Sequence, residues 1–305
     1  ISEKTLGPDH PDTATSLNNL ALLYVDQGLF NKAEPLFLRA LTIRENSLGS
    51  NHPDTAISLN NVALTYKEKG LYEKAEPLYL RALTIRENSL GPNHPDTGNS
   101  LNNLAMLYFD QGMYEKAEPL FLRALAISEK TLGPDHPDTA LIFDNLASVY
   151  VAQGLYEKGE SLHLRALTIR EDSLGADHPL TATTLDNLAV LYAEQGLYDK
   201  AEPLYLRALT IFEKTLGPDH PDTAISLSSQ ANMYYDQDLY KKAIPLARRT
   251  IEIQFRLIQR EAPYLAITDR QSYVNTFGFD YEMAFSYAMQ GNEGRNLALF
   301  SGLNK

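Results

Sequence analysis

The stretch Asn93–Pro134, NHPDTGNSLNNLAMLYFDQGMYEKAEPLFLRALAISEKTLGP, is one complete copy of the unit from which almost the whole chain is built. A His-Pro dipeptide marks each copy. Its histidines recur at a constant interval of 42 residues: His10, His52, His94, His136, His178 and His220. A fixed period between about 20 and 50 residues is the signature of a repeat array. The chain is therefore expected to stack similar units instead of folding around one central core.

Each unit is predicted to form two amphipathic helices. Leu104, Ala105 and Tyr108 stand at spacings that place them on one face of a helix, called helix A here. After a turn at a glycine, a second apolar set with spacings of three and four predicts helix B. In the first unit this set is Phe30, Ala33, Phe37, Ala40 and Leu41. Because one hairpin cannot bury both apolar stripes alone, neighbouring units are expected to complete the core.

The residues at the helix ends support this division. A glycine follows each helix B, where a left-handed backbone ends a helix without a Cβ clash. These glycines are Gly7, Gly49, Gly91, Gly133, Gly175 and Gly217. The Asp or Asn before each His-Pro is predicted to cap helix A, with the proline in the first turn. A second set of prolines is predicted to lie in the first turn of helix B: Pro35, Pro77, Pro119, Pro203 and Pro245.

These residues resemble a known family. The first unit matches the signature positions of the tetratricopeptide repeat (TPR) at Leu17, Leu20, Ala21, Tyr24, Gly28, Phe30, Ala33, Phe37 and Ala40. The unit is longer than the standard 34 residues, and the phrases LNNLA, QGLY, KAEPL, RAL and LGPDHPDT resemble the 42-residue repeats of kinesin light chain and its bacterial relatives. The resemblance covers roughly residues 1–260. It implies an all-α fold, a right-handed α-solenoid of TPR hairpins with a C-terminal helical cap.

The predicted organisation has three parts. Residues 1–8 are expected to be the end of a preceding helix B and its loop, because Ile1–Ala14 repeats the sequence of Ile127–Ala140. We therefore expect the chain to be a fragment with further repeats upstream. Six units, starting near residues 9, 51, 93, 135, 177 and 219, are expected to fill 9–260, and capping helices to fill 261–305. This tail resembles the segment that joins such repeats to a caspase-like CHAT domain in bacterial proteins.

Composition narrows the range of functions. With 27 basic and 39 acidic residues the formal charge is −12, which disfavours nucleic acid and anionic membranes and favours a basic partner. No apolar run approaches the ~20 residues that cross a bilayer. The chain has no cysteine, which excludes disulfides, thiolate metal sites and a cysteine nucleophile within it. A cytoplasmic location is expected.

Neither enzymatic activity nor a cofactor is predicted. The six repeated histidines cannot share a metal, because equivalent atoms of stacked repeats lie roughly a helix-packing distance of 8–10 Å apart, whereas zinc ligands lie about 2 Å from one ion. We assign them to loop and cap packing. His163 takes an aromatic position of helix B and is interpreted as a packing residue. No nucleophile elbow or phosphate-binding glycine loop occurs.

The resemblance implies a binding surface, because helix A lines the concave groove of TPR folds. The side chains expected in that groove are Asn18, Leu22, Val25, Asn60, Leu64, Lys67, Asn102, Met106, Phe109, Asp144, Asp186, Asn232 and Tyr235. In kinesin light chain, groove asparagines hold cargo peptides, and this role is carried over to Asn18, Asn60 and Asn102. Asp144 and Asp186 depart from the asparagine pattern. Amides can donate to and accept from a peptide backbone, and the apolar positions can form side-chain pockets.

Other interpretations stay open at this point. The asparagines can instead satisfy hydrogen bonds between helices, which we expect of the second member of each pair: Asn19, Asn61, Asn103, Asn145 and Asn187. The leading hypothesis is a non-enzymatic scaffold that binds a protein or peptide segment. The alternative is a regulatory arm of a larger protein with a CHAT protease domain downstream. End-to-end self-association of near-identical repeats is a third use.

Overall fold

The computed structural model describes residues 7–26 and 28–261, and all regular secondary structure in them is α-helical. The first six helices are α1 (Pro11–Asp26), α2 (Phe30–Leu48), α3 (Pro53–Glu68), α4 (Tyr72–Ser89), α5 (Pro95–Asp110) and α6 (Tyr114–Thr131). The next six are α7 (Pro137–Ala152), α8 (Tyr156–Leu174), α9 (Pro179–Glu194), α10 (Tyr198–Thr215), α11 (Pro221–Asp236) and α12 (Tyr240–Glu261). The odd-numbered helices are the predicted A helices and the even-numbered ones the predicted B helices.

Each A helix packs against the B helix that follows it through small and aromatic side chains. Leu104 and Ala105 of α5 share one buried cluster with Ala117 and Phe121 of α6. Alanine allows the two backbones to approach closely, and the ring of Phe121 fills the space beside them at the density of a protein interior. The same cluster includes Leu146 of α7. Neighbouring hairpins therefore complete each other's core, as the repeat pattern predicts.

Backbone contacts divide the chain into two compact units. The first unit comprises the described residues up to Ile169, and the second those from Arg170 onward. The second unit has buried clusters of its own, one of which joins Ala224 and Leu227 of α11 to Ile253 of α12. Each unit is thus built from the same kind of hairpin.

The caps of the A helices lie one residue later than predicted. His52, with an extended backbone at φ −75° and ψ 142°, is the residue that caps α3, and its Nδ1 accepts the Asp54 backbone N–H at 3.1 Å. The same bond forms at His10, His94, His136, His178 and His220. The prediction of Asn51 as the cap is wrong because Pro53 takes the first helical position, which places the histidine ring within reach of the next free amide. The repeated histidines therefore have a structural role.

Two other details of the helix ends differ from the predictions. Gly49 has the expected positive φ of 99°, but its ψ of 156° is extended and not left-handed helical. That region is open to glycine almost alone, so the requirement for glycine is stricter than predicted. Pro35 is the sixth residue of α2 and lies in its second turn. The helix continues through it, because a proline this close to the N-terminus removes a single backbone hydrogen bond.

The last described helix continues beyond the usual length. Gln259 occupies the place of the glycine that ends the other B helices, and α12 is described to Glu261, which confirms the predicted extension. Apart from Glu261, the predicted capping helices of 261–305, and with them the resemblance to a CHAT junction, lie outside the described residues. So does most of the predicted helix end at residues 1–8.

Candidate functional site

One side of the A helices in the first unit carries a row of half-buried apolar residues. Leu22, Leu64 and Met106 follow one another at the repeat interval, and Val25 and Phe109 lie about one turn further along α1 and α5. The alanine that precedes each of the first three is fully buried. Leu22, Val25, Met106 and Phe109 pack against the buried clusters while keeping part of their surface in solvent. We call these five residues the A-helix face.

A lysine on the same side is neutralised within the protein. Lys67 Nζ lies 2.9 Å from Asp110 Oδ2 and 2.9 Å from Glu68 Oε1. Burial acts to lower the pKa of Lys67, but the two carboxylates outweigh burial and the pKa is raised. The predicted groove residue Lys67 therefore joins α3 to α5 as part of an ion pair.

Asn18 and Asn60, two of the predicted groove residues, are buried. Their exposed fractions are 6% and 5%. Asn61 Nδ2 donates to Asn18 Oδ1 at 2.6 Å, and Asn60 Nδ2 donates to Ser100 Oγ at 3.1 Å. Adjacent A helices therefore pack closely enough for these amides to bridge them.

Asn102 takes part in the same kind of bridge but is only half-buried. Its Oδ1 accepts a hydrogen bond from Asn145 Nδ2 at 2.9 Å. The second asparagine of one repeat thus donates to the first asparagine of the repeat before it, as Asn61 does with Asn18. The expected division, in which only the second member bridges helices, is therefore corrected: both members do.

The two aspartates that depart from the asparagine pattern are buried as well. Asp144, 2% exposed, lies with Oδ1 2.8 Å from His163 Nδ1 of α8. Asp186, 7% exposed, accepts a hydrogen bond from Ser226 Oγ at 2.6 Å. Burial raises the pKa of Asp186 to about 6, against the opposing effect of the Ser226 hydroxyl. His163 is buried, as its interpretation as a packing residue requires, and also contacts a carboxylate.

The remaining predicted residues lie in the second unit, on α11. Asn232 is exposed and Tyr235 is half-buried. The Tyr235 ring meets that of Tyr240 edge-on, with centroids 5.4 Å apart. Tyr235 thus contacts the first residue of α12, and Asn232 lies at the surface of the second unit.

The structure also shows buried residues that the sequence analysis missed. Arg44, Arg86 and Arg170, on B helices, are buried polar residues that bind the A helix of the following repeat. Their spacing in multiples of the repeat interval was the available signal, since a charged residue kept at a core-facing position indicates a fixed partner.

In residues 7–26 and 28–261, no group of three or more His, Asp or Glu side chains is arranged to hold a metal ion. Among the helices of the same residues, none combines the length and the hydropathy needed to cross a bilayer.

The paired helices, their 42-residue interval and the alanine contacts between them agree with a family comparison. The tetratricopeptide repeat model matches residues 1–46, 18–88, 54–130, 99–158, 138–213 and 187–254. The chain belongs to the tetratricopeptide repeat family. No curated protein matches this TPR chain as a relative.

Solved structures share the TPR fold. A candidate kinesin light chain of Podosopora anserina with nearly identical TPR-like repeats is 28% identical over 68% of this chain and 98% of its own, with a TM-score of 0.54. BtubC (BKLC) from P. vanneervenii is 21% identical over 81% and 91%, with a TM-score of 0.56. A Rap protein complexed with Competence and Sporulation Factor is 18% identical over 81% and 76%, with a TM-score of 0.60. The last two show the fold alone.

These comparisons confirm two predictions. The fold is an all-α TPR solenoid, and its repeats are of the kinesin-light-chain type. Stacked TPR hairpins create extended surfaces for other chains. Family membership therefore supports a protein–protein interaction scaffold.

Proposed function

We propose that the A-helix face binds a peptide segment of a partner protein. The observation that carries the proposal is the row of half-buried apolar side chains, Leu22, Leu64 and Met106, repeated at one level of three adjacent A helices. A row of equivalent contacts at helix-packing intervals suits an extended or helical segment with apolar side chains at matching intervals.

The polar residues around this row can make few contacts with a ligand. Asn18 and Asn60 are buried in bridges between helices, whereas Asn102 is only half-buried. Apolar contacts from Leu64, Met106 and Phe109 would therefore provide most of the affinity, and Asn102 would contact the ligand backbone. The formal charge of −12 favours a basic segment, chiefly by speeding its association.

A structural neighbour supports this assignment. The Rap protein of the same fold was crystallised in complex with Competence and Sporulation Factor, so a TPR array of this kind holds a ligand there. The likeness does not extend to the residues of the site, because the identity is 18%.

The test uses a displayed peptide library and two matched double variants. Leu64→Glu with Met106→Glu places two charges on the A-helix face. Leu80→Glu with Leu122→Glu places the same charges at the repeat interval on exposed positions of α4 and α6. Peptides selected on the unaltered chain should bind the first variant at least about tenfold more weakly, since apolar anchors dominate such interfaces. Their affinity for the control variant should equal that for the unaltered chain.

Circular dichroism accompanies the measurement, to show that both variants keep their helical content. Equal affinity of the peptides for the unaltered chain and the Leu64/Met106 variant would place the binding surface elsewhere. An equal loss in both variants would show that charge, and not the A-helix face, controls binding.

A further inference from the structure

Buried arginines occupy a defined space between successive repeats. Arg44 Nη1 donates to the backbone carbonyl oxygen of Asp54 at 3.1 Å and to Ser58 Oγ at 2.9 Å. Its Nη2 donates to Thr15 Oγ1 at 3.4 Å. The guanidinium thus lies among the A helix of its own repeat, its own B helix and the A helix of the next repeat.

The same arrangement recurs in both units. Arg86 Nη1 donates to the carbonyl oxygen of Asp96 at 2.7 Å and to Ser100 Oγ at 2.9 Å. Arg170 Nη1 donates to the carbonyl oxygen of Leu180 at 2.7 Å and to Thr184 Oγ1 at 2.5 Å. The acceptors are a first-turn carbonyl and a hydroxyl of the following A helix in each case. The fold therefore provides a guanidinium site at each of these junctions.

At the junction between the third and fourth repeats, Ser128 stands where three other repeats carry Arg44, Arg86 and Arg170. A cavity of about 310 Å³ opens there. Its walls include Asn99, Asp138 and Ile142, which stand two repeat lengths after Thr15, Asp54 and Ser58, the three partners of Arg44. The cavity therefore coincides with the space that a guanidinium fills elsewhere in the chain.

Neighbouring substitutions change the chemistry of the cavity. Gly98 replaces the alanine found at this position in the other units and lines the cavity without a Cβ. Asn99 replaces the Thr, Ile or Leu of the other units and adds a carboxamide. Ile142 replaces the hydroxyl residue that accepts from arginine elsewhere. One acceptor is thus lost and another is gained.

The hydrogen bonds at Ser128 leave an acceptor beside the cavity. Thr139 Oγ1 donates to the backbone carbonyl oxygen of Gly133 at 2.9 Å, which uses its one proton. Ser128 therefore donates in the 2.7 Å contact between the two hydroxyls and keeps its own lone pairs. Asn99 and Asp138 add further acceptors, and Ser128 lies in the last turn of α6, where the helix dipole favours a cation.

Apolar side chains form much of the wall, beside the polar side chains of Asn102 and Thr131. The apolar residues are Pro95, Ala124, Ile127, Leu132, Leu141 and Ile142. Since a cavity of about 150 Å³ accommodates benzene, this one is large enough for a planar head group with an alkyl stem. Acceptors on one part of the wall and aliphatic groups on much of it match such a ligand.

We propose that this cavity binds a guanidinium group, carried by an arginine side chain of a partner segment. A guanidinium is planar and more weakly hydrated than an ammonium ion, so it loses less on entering a partly apolar site. Asn102 lines the cavity and lies one turn before Met106, so the cavity continues the A-helix face. The peptide origin of the arginine rests on the proposed function, whereas the guanidinium site does not.

The test is a titration of the full chain with ethylguanidinium, followed by NMR chemical shifts, with ethylammonium as the matched cation. We expect saturable shifts at residues around Ser128, and an affinity for ethylammonium at least about tenfold weaker. The variant Ser128→Arg supplies the guanidinium internally. It should bind the probe at least about tenfold more weakly, with no loss of melting temperature. The variant Asn99→Ile introduces the isoleucine found at the equivalent position 57. Asn99 is exposed, and its replacement should weaken binding of the probe about threefold.

Each outcome bears on the proposal. It is overturned if the unaltered chain shows no saturable shifts, if both cations bind equally, or if Ser128→Arg binds the probe as well as the parent. If Ser128→Arg does not fold, unchanged probe affinity in Asn99→Ile overturns it instead. Probe binding without any selected peptide would support the guanidinium site and contradict the peptide function, so the two proposals fail separately.

Discussion

One buried position of the A helix, held by Asn60 in the first unit and Asp186 in the second, forms its hydrogen bond in opposite directions. In the first unit Asn60 Nδ2 donates to Ser100 Oγ at 3.1 Å. In the second, three repeats later, Ser226 Oγ donates to Asp186 Oδ1 at 2.6 Å. The serine is the same and both first-position side chains are buried, but the direction of the hydrogen bond is reversed.

The residue on the preceding B helix accounts for this reversal. Arg86 donates to Ser100, so this serine accepts both from the guanidinium and from the Asn60 amide. Phe212 takes the place of Arg86 in the second unit, and Ser226 uses its hydroxyl proton on Asp186. The apolar Phe212 on α10 is thus matched by the carboxylate of Asp186 on the preceding helix, α9. A buried amide is indifferent to pH, whereas a buried carboxylate ties stability to pH.

The largest expected effect concerns the other buried carboxylate, Asp144, which has an imidazole partner. His163→Phe restores the aromatic residue found at positions 37 and 121 but removes a contact of 2.8 Å to Asp144. Since the substitution removes one partner of a hydrogen bond between two buried side chains, the variant should lose about 3 kcal/mol of unfolding free energy. Chemical denaturation measures this loss.

The matched control is His163→Phe with Asp144→Asn, which restores the asparagine of the other repeats. It should recover most of the lost stability, because asparagine and phenylalanine occupy these two positions together in the first and third repeats. A double variant as unstable as His163→Phe would show that the cost comes from packing of the ring and not from the carboxylate.

A smaller effect, with a defined pH dependence, is expected at Asp186. Burial raises the pKa of this group to about 6, above the value of about 3.9 in an unfolded chain. The folded state therefore binds more protons between these values, and stability falls as pH rises from about 4 to about 6. Asp186→Asn should remove this loss and stabilise the protein by about 2–3 kcal/mol at neutral pH.

Melting temperatures of the parent and Asp186→Asn across pH 4 to pH 8 test this expectation. The advantage of the variant should grow with pH and level off above about pH 6. An advantage that is constant across this range would mean that Asp186 does not titrate there. Asn60→Ala is the control in the first unit, and its effect should not depend on pH.

The sequence was sufficient for the order of the elements because the repeated pattern is redundant. Six copies place alanine, aromatic and glycine residues at one interval, and periodicity of apolar residues depends only on local helix geometry. The cap of α3 was misplaced by one residue because asparagine is the commoner cap. In this protein the ring of His52 accepts the Asp54 backbone N–H in place of an asparagine side chain.

The candidate site was predictable only in part. The sequence identified Leu64 and Met106 as outward residues, because they lie beside the core stripe on helix A. It could not show that Asn60 is buried, since burial there depends on how closely α3 approaches α5, which is a tertiary property. The cavity at Ser128 was also invisible, because it requires knowing that Arg44 and Arg86 extend into the space between repeats.

The smallest expected effect would show directly whether the B-helix residue controls the difference between the units. Asn60→Asp places a carboxylate beside Ser100, which Arg86 contacts at 2.9 Å. The nearby guanidinium should hold the pKa of the new carboxyl about one unit below that of Asp186, a difference of about 1.4 kcal/mol. Combining it with Arg86→Phe copies the second unit, so the pKa should rise towards that of Asp186. Carboxyl carbon shifts report both values by NMR. Titration of the new carboxyl at the same pH with and without Arg86 would break the explanation, since burial alone would then set the pKa at this position in both units.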